Sequence, residues 1–195
     1  IEEFLKGLKG TGYIDEKITC DEKKRSLSLF NDKQYAEEEY FGDVYCTSYK
    51  ASFAELAQAQ RHRTLSYSFK MPADFDCYIP PILKDDERLV KAYLDDMQSL
   101  EKEIPQGTLL DITEKGTLDN FILKMKERKC TYAQLEINNT TDNTLNKYVD
   151  ALKAKNHQYA AELEKYTKGS RCTFPDYKCI APCQFKEGVD GTREI

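Results

Sequence analysis

No stretch of this chain approaches the ~18 consecutive apolar residues that a membrane-spanning helix needs. No basic and then apolar leader opens it either. These absences give a soluble, cytoplasmic reading with no membrane partner. Positive charge is also short: 29 Lys and Arg face 34 Asp and Glu, a formal charge of −5. A field of that sign repels phosphate over most of the surface, so general affinity for nucleic acid is excluded, and any anionic ligand must be drawn by a local basic pocket. Histidine is scarce, with His62 and His157 alone. The seven cysteines (Cys20, Cys46, Cys77, Cys130, Cys172, Cys179 and Cys183) are odd in number and irregularly spaced. That pattern reads as reduced thiols rather than a disulfide framework. Internal repeats and low-complexity segments are lacking. Position 1 is Ile1 rather than methionine, from which we expect the chain to be a fragment, or earlier residues to precede it.

What is present suits one good-sized domain. The chain has 195 residues, 40% hydrophobic and 32% charged, enough for a core of its own. We read residues 1–195 as a single domain, with a cysteine-containing tail from about 170 to 195.

Apolar periodicity supplies the elements. Ile1, Phe4, Leu5 and Leu8 predict a short helix that Gly10 stops, and Leu27 and Leu29 a short strand over Ser26–Phe30. The alternation from Val44 to Tyr49 predicts a strand running straight into a helix at Ser52. Ser52 and Glu55 form a capping-box pair, and Phe53, Leu56 and Ala57 give that helix an apolar face. A longer helix is predicted over Asp85–Ile104, from Leu89, Tyr93, Met97, Leu100 and Ile104. A short strand is expected at Leu109–Ile112 and a helix at Leu118–Met125. A further helix should start near Tyr132, bend between Asn138 and Asn143, and continue from Leu145 to Tyr166, with Gly169 closing it. The tail from Cys172 onward should be extended. Mostly helix with a few strands gives an α+β fold.

The helix at Ser52 delivers Arg61, His62 and Arg63 together at its C-terminal end. Such a cluster is either a solvated basic end that complements the helix dipole or a seat for a polyanion, since guanidinium groups match phosphate oxygens. The full pattern, Ser52-x-Ala54-x3-Gln58-x2-Arg61-His62-Arg63-x2-Ser66, resembles the signature of flavin-dependent thymidylate synthases. A second block in the same order resembles that family too: Pro105-Gln106-Gly107-Thr108, then Arg128, then Ala133-Gln134-Leu135-Glu136-Ile137. The resemblance covers roughly Val44 to Val149.

What it implies is specific. The fold would be that of the thymidylate-synthase-complementing proteins, helices on a small, mostly antiparallel sheet, assembled as a homotetramer or paired with a second copy of the domain. The activity would be reductive methylation of dUMP to dTMP, with methylene-tetrahydrofolate, NADPH and an FAD cofactor. Arg61, His62 and Arg63 would contact FAD, and Arg128 the nucleotide. Read without the family, Arg128 is equally a helix-surface ion pair to Glu127 or Glu136. No catalytic residue is assigned. The chain also departs from the pattern. Ser68, Met71 and Ala73 stand in the stretch that should carry a substrate serine and arginine. Asp111 replaces another arginine, Thr117-Leu118-Asp119 replaces an Asn-x-Arg, and the acidic stretch at Glu37–Glu39 replaces a Gly-His block. A two-copy relative that divides the labour accommodates both sides, this chain being its C-terminal copy and another copy supplying the substrate groups.

Cys172-x6-Cys179-x3-Cys183 offers three thiolates, one short of a structural zinc shell, which Cys130 or His157 would have to complete. Its spacing is not that of the usual hooks, and thiols packing a tail explain it as well.

Overall fold

The computed structural model describes residues 18–23, 39–179 and 183. The expected helix at Ile1–Lys9, the strand at Ser26–Phe30 and most of the far tail lie outside them.

A 14-residue strand runs through the middle of the sheet. Strand β2 (Glu39–Ser52) pairs antiparallel on one side with β1 (Ile18–Lys23) and on the other with β4 (Leu109–Thr117), which in turn pairs with β3 (Ser66–Lys70). The order is β1-β2-β4-β3, antiparallel throughout. The two-residue period of a strand sends Tyr45, Thr47, Tyr49 and Ala51 to the helix-covered face. The register sets Gly116, Glu114, Ile112 and Leu110 opposite them, with Tyr67 and Phe69 beyond. Gly116 leaves room for its neighbours: a Cβ there would fall 2.2 Å from Leu65 Cδ2 and 3.1 Å from the Tyr45 ring, so Leu65 would have to move.

Ser52 ends β2 and caps α1 (Phe53–Ala59), its Oγ accepting from the Glu55 N–H at 3.1 Å. The buried stripe of α1 is Glu55, Leu56 and Ala59, whereas Ala57 is exposed, which corrects the expected face. Spacing counted from the buried cap Ser52 (i+3, i+4, i+7) selects those three positions and carries an acid into the core.

Helix α2 (Glu87–Ser99) is shorter than the expected Asp85–Ile104. It gives way to a separate 3-10 turn at Glu101–Glu103, and Ile104 adopts φ 51° ahead of Pro105. Of its predicted apolar stripe only Met97 is buried, while Leu89 is 51% exposed.

Helix α3 (Leu118–Arg128), capped by Thr117, buries Leu118, Phe121 and Met125 as its spacing predicts. Helix α4 (Leu135–Ala154) runs unbroken through 138–143, where a bend was expected. The polar residues there are absorbed: the Asn138 amide donates to the carbonyls of Arg128 and Cys130, and Thr140 Oγ1 to the carbonyl of Glu136. The break comes later. Asn156, at φ 52°, closes a Schellman turn in which His157 N–H reaches the Leu152 carbonyl at 2.9 Å. The short α5 (Tyr159–Glu164) follows.

Most of the core lies where α3 and α4 cover the sheet. Tyr45, Phe121 and Tyr148 meet ring to ring at 5.0–5.9 Å, among Leu118, Met125, Leu145, Leu152 and Leu163. The tail is not simply extended. Phe174 packs edge-on against Tyr166 at 4.9 Å, and Lys126 holds Asp176 at 2.5 Å. Among the described residues no helix is long and apolar enough to cross a membrane.

Candidate functional site

Two helix C-termini meet at this site, and orphan carbonyls make such a place attractive to cations. Arg128, in the last turn of α3, reaches across to α1. One terminal nitrogen donates to the Gln58 carbonyl at 3.0 Å, the other to Gln58 Oε1 at 3.3 Å, and its Nε to His62 Nε2 at 2.7 Å. Because His62 Nε2 accepts, the ring is neutral, with its proton on Nδ1. Burial, and then the charges of Arg128 and Lys124, push the histidine down to about 4 from an ordinary 6.5. Arg128 itself is held below the usual guanidinium value by burial and by Arg61.

Arg61 and Arg63 are exposed. The positive charge of the cluster therefore rests on Arg61, Arg63 and Arg128, and His62 serves as an acceptor that orients Arg128. The alternative ion pairs of Arg128 to Glu127 or Glu136 are not what engages it. Glu136 is turned the other way, where its two oxygens accept from Ser52 N–H at 2.7 Å and Ser52 Oγ at 2.5 Å. In the capping box, that carboxylate does for the Ser52 N–H what Glu55 was expected to do.

Glu55 lies deeper, fully buried, and neither of its carboxyl oxygens has a hydrogen-bond partner among the described residues. Burial, aided by Glu114 and Glu136 against the pull of Lys124 and Arg128, pushes it up to about 8. Beside it, Glu114 accepts from Tyr45 Oη at 2.5 Å, Tyr49 Oη at 2.8 Å and Lys124 Nζ at 2.7 Å, with Glu114 and Lys124 both inaccessible to solvent. The Lys124 ammonium also lies 5.7 Å from the Tyr67 ring centroid. The Tyr67 hydroxyl is buried without a partner, and burial with the nearby acids raises it well above its ordinary value. Behind the arginine cluster there is thus a dry set of acids, tyrosines and one lysine that can hold a proton at Glu55 at neutral pH.

Arg61, His62, Arg63 and Arg128 are legible as site residues in the sequence, whereas Gln58, Glu55, Glu114 and Lys124 are not. Gln58 and Glu55 sat inside the first motif, Glu55 read as a cap. Glu114 and Lys124 had no short-range signal, since only the fold brings them together. Asp111, the acid standing at an expected arginine, is buried on the opposite sheet face, between Lys50 and Lys70 in register. Among the tail cysteines Cys172 is exposed and Cys179 and Cys183 are half-buried. No three His, Cys, Asp or Glu side chains converge on a metal position among the described residues.

No protein-family model and no curated protein matches this chain. Among solved structures, thymidylate synthase X from Helicobacter pylori, determined with FAD and dUMP, matches with a TM-score of 0.46 and 14% identity, over 64% of this chain and 73% of that one. A likeness that loose carries no argument about chemistry.

Proposed function

We propose that the chain is a flavin-dependent thymidylate synthase or one half of such an enzyme, binding FAD at Arg61, His62 and Arg63 and the dUMP phosphate or pyrimidine at Arg128. The observation that carries the reading is the joining of the two sequence motifs. The block at 128–137 is hydrogen-bonded to the block at 52–66 at its start, through Ser52–Glu136, and further along, through Gln58 and His62 to Arg128. Residues 66 or more positions apart in sequence are built into one unit, as a composite binding surface requires.

The donor set fits a dinucleotide cofactor. Arg61 and Arg63 are exposed guanidinium groups suited to a pyrophosphate, in a chain whose overall charge would otherwise repel one. His62 is neutral and fixed, so its role is to orient Arg128 rather than to add charge. Bound flavin would supply the hydride that reduces the methylene group passed on from methylene-tetrahydrofolate to a methyl, with NADPH as the source of reducing equivalents. The protein's own contribution is to bind and orient through the arginines, and to hold a proton at the Glu55 carboxyl behind them.

A second reading, in which the chain is a non-catalytic, flavin-binding or assembly half, is favoured by Asp111. An acid buried on the far sheet face cannot replace a substrate arginine, and Ser68, Met71 and Ala73 leave the serine and arginine of that stretch missing. Oligomerisation, as a homotetramer or with a second copy, is part of both readings.

Purified protein incubated with FAD should be yellow after desalting, and Arg63→Ala should lose the colour. A colourless wild type, or full flavin occupancy in the variant, overturns the assignment. Turnover of dUMP with methylene-tetrahydrofolate and NADPH separates the enzyme from the non-catalytic half.

A further inference from the structure

A cavity of about 380 Å3 opens between the end of α3, the first half of α4 and the loop at 167–170. It shares no lining residue with the Arg128 cluster. Apart from Gly169, every lining residue ends in a polar group, among them Lys129, Thr131, Asn139, Asp142, Thr167 and Lys168. Small-molecule sites are ordinarily lined mostly by hydrocarbon, and this one lies at the small end of their range of roughly 300–1,000 Å3. A flavin ring or any other flat apolar ligand finds no wall to stack on here. A compact hydrophilic one does.

The walls are held from behind. Lys129 is only 3% exposed, and its ammonium is paired with the Asp142 carboxylate. Its carbonyl accepts from Arg171 N–H at 2.6 Å, and the Asn138 amide ties the carbonyls on either side of it. Gly169, at φ 128°, turns the loop in a way that a side-chain-bearing residue resists. Burying an ammonium beside a cavity is costly unless its hydrogen-bonding capacity is used; the Asp142 carboxylate that pairs with it is half-exposed, and its other oxygen accepts from the Asn146 amide at 3.2 Å. Two lysines against one aspartate leave the lining at a net charge of about +1, within a chain of −5.

We infer that this cavity binds a phosphorylated sugar. Lys168 and Lys129 would take the phosphate, where charge-assisted bonds are strongest. Asp142 and the Asn139 amide would take the hydroxyls, a carboxylate accepting from a diol and an amide serving either polarity. The site is separate from the proposed flavin site and does not rest on it.

The test is an amide-shift titration of the intact chain by NMR with ribose 5-phosphate, with ribose and inorganic phosphate as separate arms. Ribose 5-phosphate should move the amides of Thr131, Asn139, Lys168 and Gly169 with a dissociation constant of the order of 1 mM or tighter. Ribose and phosphate should each bind at least about tenfold more weakly. Lys168→Ala, at an exposed position where folding is not at risk, should weaken ribose 5-phosphate about tenfold. The proposal is overturned by the absence of shifts, by shifts centred on Arg61, His62 and Arg128, by equal affinity for ribose or phosphate alone, or by an unchanged Lys168→Ala. Flavin retention in Arg63→Ala reports on the other site and is unaffected by any of these outcomes.

Discussion

Replacing Glu55 by glutamine tests whether an acid without partners in the core is tolerated only in its protonated form. The carboxyl is fully buried, with no hydrogen-bond partner for either oxygen among the described residues, and is held near 8 against an ordinary 4.5. Between those two values the folded chain keeps a proton that the unfolded chain releases. The unfolded state then binds fewer protons, so stability falls as pH rises from about 4.5 to about 8 and levels off above. At about 1.4 kcal/mol for each pH interval the ceiling is about 5 kcal/mol, and relaxation of the site brings the working figure to ~2–5 kcal/mol. Glutamine has the same shape and no proton to lose. Its buried amide adds a cost, but one that does not change with pH. His62 works in the opposite direction: its depressed value makes the unfolded chain bind the extra proton, so its contribution grows as pH rises from about 4 to 6.5. That term is present in both proteins, and Glu55 is not among the groups that set it, so it cancels in the difference. Urea unfolding followed by far-UV circular dichroism suits a chain without tryptophan. Glu55→Gln should gain ~2–5 kcal/mol on the wild type between about pH 5 and pH 8.5. Parallel stability curves across that range would refute the burial argument.

Three further substitutions probe the same construction. Arg128→Met removes both the hydrogen bond to His62 and the nearest cation, so the His62 ring should titrate closer to its ordinary value, read from its carbon-bound protons by NMR; a value left near 4 would mean that burial and Lys124 set it without Arg128. Glu136→Gln leaves a single acceptor for the two Ser52 donors, at a cost of about 1.5–3 kcal/mol in thermal unfolding, and a change under ~0.5 kcal/mol would show that the Ser52–Glu136 contact contributes little. Gly116→Ala forces Leu65 aside and presses on a Tyr45 ring that Glu114 pins in place, which should destabilise by about 1–3 kcal/mol; a neutral outcome would mean that β4 shifts freely.

How much of this was legible in the chain depends on the range of the forces involved. The alternation at Val44–Tyr49 and the spacing of Leu118, Phe121 and Met125 are local, and both elements are present, with Tyr45, Thr47 and Tyr49 on the helix-covered face and Leu118, Phe121 and Met125 buried. Strand β3 has no local signal, because Ser66–Lys70 is a short edge element whose pairing partner lies more than 40 residues away. The expected bend at Asn138–Asn143 failed for a related reason. Asn and Thr disfavour a helix interior when they turn on their own backbone, but here Asn138 spends its amide on the end of α3, a partner that periodicity cannot reveal. Glu55 makes the sharpest case. Read locally it completes a capping box, and half of that box exists, since Ser52 Oγ accepts from the Glu55 N–H. The other half is supplied by Glu136, from a helix 84 residues further along. Relieved of that duty, the Glu55 carboxyl turns into the core beside the Glu114–Lys124 pair. A carboxyl in that position can be neutral in the fold and charged outside it, which ties the protonation of the site to the integrity of the two motifs that enclose it. Breaking Ser52–Glu136 should therefore perturb Glu55 as well. The pH dependence assigned to Glu55 should weaken in Glu136→Gln, because a loosened α1 admits water to the acid and draws it back toward its ordinary value.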